Sequence, residues 1–272
     1  VVTRLLTLSV CTWLALSTGA RADASVTWDW ILGGKLPTTP PVVDYLDLDA
    51  FDAPKRYVKK AKANGTTTIC YISAGTLENW RPDKDAFWKK HRKQLKKGKP
   101  GIIGKSYPDW PGERWLNFTR YKVFLPLMVK RMKTCQRKGF EMIEFDNLDA
   151  YDNRTSFKIR KSDAIRYAKA LAKKANAIGL VAVHKNTTEL NRKLEPYFGA
   201  QLLEDCVLYN FCSDAKHYRK AGKPVFNAEY PEAWEDEGKT FNRTKACAKT
   251  DASDVSMIVK KLDLDDWVKR CP

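Results

Sequence analysis

Three aspartates crowd the stretch Phe140–Asn153, "FEMIEFDNLDAYDN". Asp146, Asp149 and Asp152 fall within seven residues, directly after an apolar-leaning segment. Carboxylates are costly to bury, so a strand that runs into them delivers them to a surface or to a site. Paired carboxylates suit glycoside hydrolysis: one protonates the leaving oxygen, and the other attacks the anomeric carbon or activates water. Clustered acids can also hold a cation, and a single aspartate often just caps the next helix. The cation is the weaker use here, because the three histidines sit in dissimilar contexts and no calcium-loop spacing occurs. A serine nucleophile has no Gly-x-Ser-x-Gly signal. Nine tryptophans offer flat faces on which sugar rings can stack, and Trp28, Trp30, Trp80, Trp110 and Trp115 fall in loop-rich or strand-edge contexts.

Such acids need elements that point them to one place. Eight short apolar segments read as strands: 42–48, 66–73, 114–118, 140–145, 180–185, 200–205, 224–230 and 255–261. Longer amphipathic stretches lie between them, among them "KVFLPLMVKRMKTCQRKG" and "KSDAIRYAKALAKKANAIG", with apolar residues at helical spacing. Alternation of this kind predicts an α/β fold, a single-domain (β/α)8 TIM barrel. A doubly wound open sheet is the runner-up, though its glycine-rich turn after the first strand is missing. In a barrel the C-terminal strand ends form the active-site rim. Asp47 and Asp49 end the first strand read here, Asp146 and Asp149 follow the fourth, Glu204 ends the sixth and Glu229 the seventh, so the set is expected to converge.

The segment "LLTLSVCTWLALSTGA" after Arg4, followed by Ala20-Arg21-Ala22, reads as a signal peptide over residues 1–22, with a catalytic domain over 23–272 and a secreted product. No later segment is apolar enough for a membrane anchor. Cys11 would leave with the leader, and six cysteines would remain. An even count behind a leader argues for disulfides. Cys206 and Cys212 flank a short loop, Cys247 and Cys271 bracket the last strand and tail, and Cys70 is left with Cys135. Asn64, Asn117, Asn153, Asn186 and Asn242 open glycosylation sequons. The formal charge is +17; without Arg4 and Arg21 it is +15. Most of the excess is lysine in helix-like stretches such as "KKHRKQLKKGK", without a nucleic-acid motif, so it reads as a solvated basic surface and no nucleic-acid partner is expected.

Across residues 26–230 the chain resembles the endo-α-1,4-polygalactosaminidases, glycoside hydrolase family 114. The resemblance rests on "WDWILGG", "DYLDLDAFD", "ICYISAGTLENWRPD", "WPGERWLNF", "GFEMIEFDNLDAYDN", "HKN", "EDC" with a second cysteine six residues later, and "KPVFNAEY", in the family's order. It implies a (β/α)8 barrel and retaining, endo-acting cleavage of secreted α-1,4-linked galactosamine-containing polysaccharide. Asp146 would be the nucleophile and Glu204 the acid/base. Asp47, Asp49, Tyr71, Asp149, Lys185, Asn186, Glu229 and Tyr230 would contact substrate, together with Trp30 as a stacking face. The resemblance departs at Asp205, Ser156 and His184. No cofactor or metal is expected, the polysaccharide is the expected partner, and a monomer is expected. The alternatives are a non-catalytic carbohydrate-binding barrel and a hydrolase of another α-glycan. Asn186, a sequon inside the implied site, is expected to stay unglycosylated.

Overall fold

Period-two alternation in short, doubly buried strands organises this chain. The computed structural model describes residues 26–271, so the leader read at residues 1–22 lies outside the described residues. The chain runs β1 (Trp28–Ile31), β2 (Tyr45–Asp49), α1 (Lys55–Ala63), β3 (Thr67–Ser73), β4 (Thr76–Glu78), α2 (Lys84–Leu95), β5 (Ile103–Ser106), β6 (Glu113–Leu116), α3 (Tyr121–Lys138) and β7 (Met142–Asp146). It continues α4 (Lys161–Asn176), β8 (Val181–Lys185), α5 (Asn191–Leu194), β9 (Ala200–Glu204), α6 (Lys216–Lys220), β10 (Val225–Glu229), α7 (Pro231–Asp236), α8 (Arg243–Ala252), β11 (Ser256–Val259) and β12 (Lys269–Arg270).

The main sheet has the order β1-β2-β3-β7-β8-β9-β10-β11-β12. All its ladders are parallel except the last, where β12 pairs antiparallel with β11. The sheet curls until its first and last parallel strands face each other. The Trp28 indole donates to the Ser256 carbonyl at 3.0 Å, and Leu32 and Gly33 N–H donate to the Leu264 carbonyl. Across this seam Asp29 accepts from Lys260 and from Arg270 of β12, both at 3.2 Å. The ladder order has two ends, so the architecture shown is a curled, parallel-rich α/β half-barrel, and the complete closed (β/α)8 barrel expected above is not what the pairing describes.

Two strand expectations are corrected. The segment Trp28–Ile31 forms the first strand, buried throughout, although two tryptophans and an aspartate carry little strand signal beyond bulk. The candidate at 114–118 supplies β6, which lies in a separate antiparallel sheet of order β4-β6-β5. That small sheet stands beside the strand ends and forms one wall of the cleft described below.

Alternation sorts each parallel strand between two cores. On β3, Ile69 and Tyr71 join the inner cluster with Trp28, Trp30, Val183, Leu202 and Phe226, while Cys70 and Ile72 pack outward against the helices. The same phase turns Glu144 and Asp146 of β7, Lys185 of β8 and Glu204 of β9 inward. Among the described residues three disulfides, Cys70–Cys135, Cys206–Cys212 and Cys247–Cys271, join the six cysteines in the pairs expected from their positions. Among the sequons, Asn64 and Asn242 are exposed, whereas Asn117 is buried and donates to the Gly101 carbonyl at 3.1 Å.

Cys206–Cys212 closes a six-residue separation immediately after Glu204. Replacing both cysteines with serine is expected to lower stability by about 2 kcal/mol, the loop-entropy value for so short a ring. Thermal melts of the oxidised parent and the double variant check this.

Candidate active site

Three consecutive strands end in the same backbone gesture. The residues that follow β7, β8 and β9 are Asn147 (φ 61°), Asn186 (φ 47°) and Asp205 (φ 51°). Asparagine and aspartate tolerate the left-handed region better than other side-chain-bearing residues. The turn leaves each strand's last inward side chain at the rim and bends the chain away from it. Gly75 fits against this rim because a Cβ there would lie 1.5 Å from the Asn147 carbonyl oxygen, and its N–H donates to the Asp146 carbonyl at 3.0 Å.

Asp146 is held on both oxygens. Oδ1 accepts from Asn147 N–H at 2.8 Å and from Lys185 Nζ at 3.3 Å, and Oδ2 accepts from the Tyr71 hydroxyl at 2.9 Å. Glu204 is held likewise. Oε1 accepts from the Tyr230 hydroxyl at 2.7 Å, and Oε2 from Asn186 Nδ2 and Lys185 Nζ, each at 3.1 Å. Asn186 also accepts the Glu204 N–H at 2.9 Å, so one amide fixes both the backbone and the side chain of this residue. Lys185 is itself buried. Its third carboxylate is Glu144, at 3.1 Å, and its ammonium lies 4.3 Å from the centre of the Trp30 ring. The nearby carboxylates raise the Lys185 pKa well above its usual range, outweighing burial, so it stays charged.

Beneath this layer lies Asp47, fully buried beside Glu144. Burial, then the Glu144 charge, push the Asp47 carboxyl well above the usual range. No side-chain N–H or O–H donor reaches the Asp47 carboxyl, and Glu144 Oε2 has no donor either. A proton carried by Asp47 and donated to Glu144 fits the raised Asp47 carboxyl and the otherwise unpartnered Glu144 Oε2.

The cleft above holds about 300 Å³ and is lined by Trp30, Tyr71, Asp146, Asp149, Lys185, Asn186 and Glu204, among others. It also takes in residues that sequence reasoning did not select: Glu78, Arg81, Tyr107 and Glu113. Asp49 borders it, but its carboxylate accepts from both terminal nitrogens of Arg81 and from the N–H groups of Phe51 and Asp52. Asp47 lies below the cleft. Glu229 also lies outside it, with Val207 and Leu208 N–H, Asn227 and the Trp234 indole all donating to its carboxylate. Tyr230 touches the site from behind, through Glu204. Of the tryptophans, Trp80 (52% exposed) and Trp110 (44%) stand at the rim, while Trp28 and Trp115 are packed in the cores. His184 points outward, fully buried between Thr187 and Tyr218, and burial lowers its pKa to about 3.

Glu113 comes from the side sheet. Thr76 donates to it, Thr76 shares a 2.5 Å hydrogen bond with Ser73, and Asn147 donates to Ser73 at 3.0 Å, so hydroxyls link Glu113 to the residue beside Asp146. Burial, with added repulsion from Glu78 and Asp146, pushes its carboxyl to about 7. Burial and the Asp146 charge push Asp149 to about 6, and Asp149 Oδ1 has no hydrogen-bond partner. Among the described residues no group of three or more His, Cys, Asp or Glu is placed to hold a metal ion, and no helix is long and apolar enough to cross a membrane.

The model of Glycoside-hydrolase family GH114 matches residues 13–272. The chain belongs to this family. This GH114 member is a glycoside hydrolase, and the inward carboxylates of β7 and β9 are groups suited to that chemistry. A crystal structure of Ega3 from Aspergillus fumigatus in complex with galactosamine is 29% identical, covers 92% of this chain and 97% of its own, and superposes with a TM-score of 0.78. The glycoside hydrolase domain of PelA from Pseudomonas aeruginosa shares the fold, with 16% identity, 90% and 98% coverage and a TM-score of 0.61. An uncharacterized protein of Deinococcus radiodurans is 24% identical over 205 residues, and the match spans 70% of the GH114 chain described here but only 64% of that relative's length.

Proposed function

We propose that the protein is a secreted, endo-acting, retaining hydrolase of α-1,4-linked galactosamine-containing polysaccharide, with Asp146 as nucleophile and Glu204 as acid/base. The observation that carries this reading is the single ammonium between the two carboxylates. With 3.3 Å and 3.1 Å to Lys185 Nζ, the two bonded oxygens lie at most about 6.4 Å apart, so both carboxyls can reach one glycosidic bond, as a nucleophile and an acid/base must. In the first step Asp146 bonds to the anomeric carbon as the glycosidic C–O bond breaks, and Glu204 gives its proton to the departing oxygen. In the second, water attacks the same carbon, the bond to Asp146 breaks, and Glu204 takes the water's proton. We read the curled sheet as a (β/α)8 barrel whose seam is stitched by side chains and by β12.

Charge supports a cationic sugar. Within the cleft Arg81 pairs with Asp49 and Glu78, and Lys185 pairs with Asp146 and Glu204. Glu113, Asp149 and Asp263 line the same cleft with no cation in salt-bridge range among the described residues. A negative cleft in a chain of charge +17 selects an ammonium-bearing ligand, and Ega3, the relative with 29% identity, holds galactosamine. Reducing-end release from a panel of deacetylated and N-acetylated polymers, with the anomer followed by NMR, tests the reading. Release confined to neutral α-glucans, or an inverted product, overturns it.

The same carboxyls set a pH dependence. Below about 6 Asp149 is protonated, and below about 7 so is Glu113. Each ionises as pH rises through its value, and the ionised form attracts an ammonium. The KM for deacetylated polymer is therefore expected to fall several-fold between pH 5 and pH 7.5, while that for fully N-acetylated polymer stays level. Steady-state kinetics across that range checks this.

A further inference from the structure

We infer that Lys185 is the shared counter-ion of the two reacting carboxyls and makes no contact with substrate, an inference that rests on the reaction proposed above. An ammonium has three N–H donors. Lys185 faces three carboxylates, Glu144 at 3.1 Å, Asp146 at 3.3 Å and Glu204 at 3.1 Å. Its side chain is 2% exposed, and its fourth side rests on the stem and the Trp30 ring. No donor is left for a sugar hydroxyl.

The chemistry gives this placement a purpose. Before the first step Asp146 carries the negative charge and Glu204 the proton. After it, Asp146 is a neutral ester and Glu204 is the carboxylate, because its proton has left with the leaving group. The second step reverses both changes. Each half-reaction therefore moves one negative charge from one neighbour of Nζ to the other, over nearly equal distances to a cation that need not move. In a buried setting such fixed charge is worth more than in water and needs no reorganisation during the step. Glu144 anchors Lys185 from below, and the proton on Asp47 keeps that lower pair from adding a second negative charge.

Removing the cation has a signed consequence. Both carboxyls lose a neighbour that favours their ionised forms. For Lys185→Met, kcat is expected to fall by roughly 10²–10³-fold, with KM within about twofold and both limbs of the kcat/KM profile displaced toward higher pH. Lys185→Arg keeps the charge and is expected to hold the limbs near their wild-type positions despite slower turnover. A direct substrate contact would instead raise KM and leave the limbs in place. A merely structural lysine would lower the active fraction and move neither. Should Lys185→Met fail to fold, Lys185→Arg decides: a raised KM or displaced limbs overturns the inference. Asp146→Asn and Glu204→Gln are measured alongside. If either turns over polymer like wild type, the underlying reaction is wrong; if both are inactive while the limbs of Lys185→Met stay put, only the counter-ion role is lost.

Discussion

Asp146→Asn is expected to lower polymer turnover by roughly 10⁴-fold or more, with polymer affinity within about threefold of wild type. The substitution is nearly isosteric. With the amide oxygen in the place of Oδ1, Asn147 N–H still donates to it, and the amide N–H₂ in the place of Oδ2 can donate to the Tyr71 hydroxyl oxygen, so the rim keeps its shape. What disappears is the anionic oxygen that bonds to the anomeric carbon, and an amide cannot replace it at neutral pH. Reducing-end assays give the rate, and calorimetry with the inactive variant gives the affinity. Glu204→Gln adds a contrast, since losing the proton donor hurts least where the leaving group needs no proton. Wild-type hydrolysis by Asp146→Asn would end its assignment as nucleophile.

Glu229→Ala is expected to cost about 3–5 kcal/mol of stability, a fall of roughly 10 °C in Tm for a domain this size. The carboxylate is fully buried and receives Val207 N–H at 2.8 Å, Leu208 N–H at 3.3 Å, Asn227 Nδ2 at 2.8 Å and Trp234 Nε1 at 2.9 Å. Alanine leaves four donors without an acceptor and a void behind them. Val207 and Leu208 follow Cys206 directly, so the loop that trails Glu204 loosens as well. Glu229→Gln keeps the volume but turns an N–H₂ toward groups that are all donors, and is expected to recover less than half of the loss. A melt within 2 °C of wild type would show that water can take the place of this carboxylate.

The positions of Asp146 and Glu204 were legible because period two is rigid. Once "FEMIEFD" and "AQLLE" are strands, their last inward side chains can only stand at the rim. Asp49 shows where that logic stops. It too ends a strand, yet a guanidinium from the turn before α2 occupies its oxygens, and nothing in strand spacing announces Arg81. Asp47, two residues earlier on the same face, lies one layer too deep to meet solvent. Glu229 also ends a strand, but it lies on the opposite phase from Phe226 and Ala228, which face the inner core, and so points outward to partners on β10, the loop after β9 and α7. β1 was missed because Trp-Asp-Trp-Ile resembles a loop until its neighbours bury it. The wall carrying Glu113 was missed because a three-stranded side sheet depends on pairings between distant segments, which periodicity within one segment does not report.

The seam between β1 and β11 sets where this molecule can be cut and rejoined. Arg270 of β12 reaches the Trp28 carbonyl at 3.5 Å and Asp29 at 3.2 Å, so the first and last described strands are neighbours in space. The Cys247–Cys271 bridge anchors the tail at the same border. Asp146, Lys185 and Glu204 lie on three adjacent central strands, β7, β8 and β9, away from that border in the ladder order. A short linker across the seam, with new termini opened in an exposed loop such as Lys96–Lys99, gives a circular permutant in which every ladder through the reacting groups stays covalently continuous.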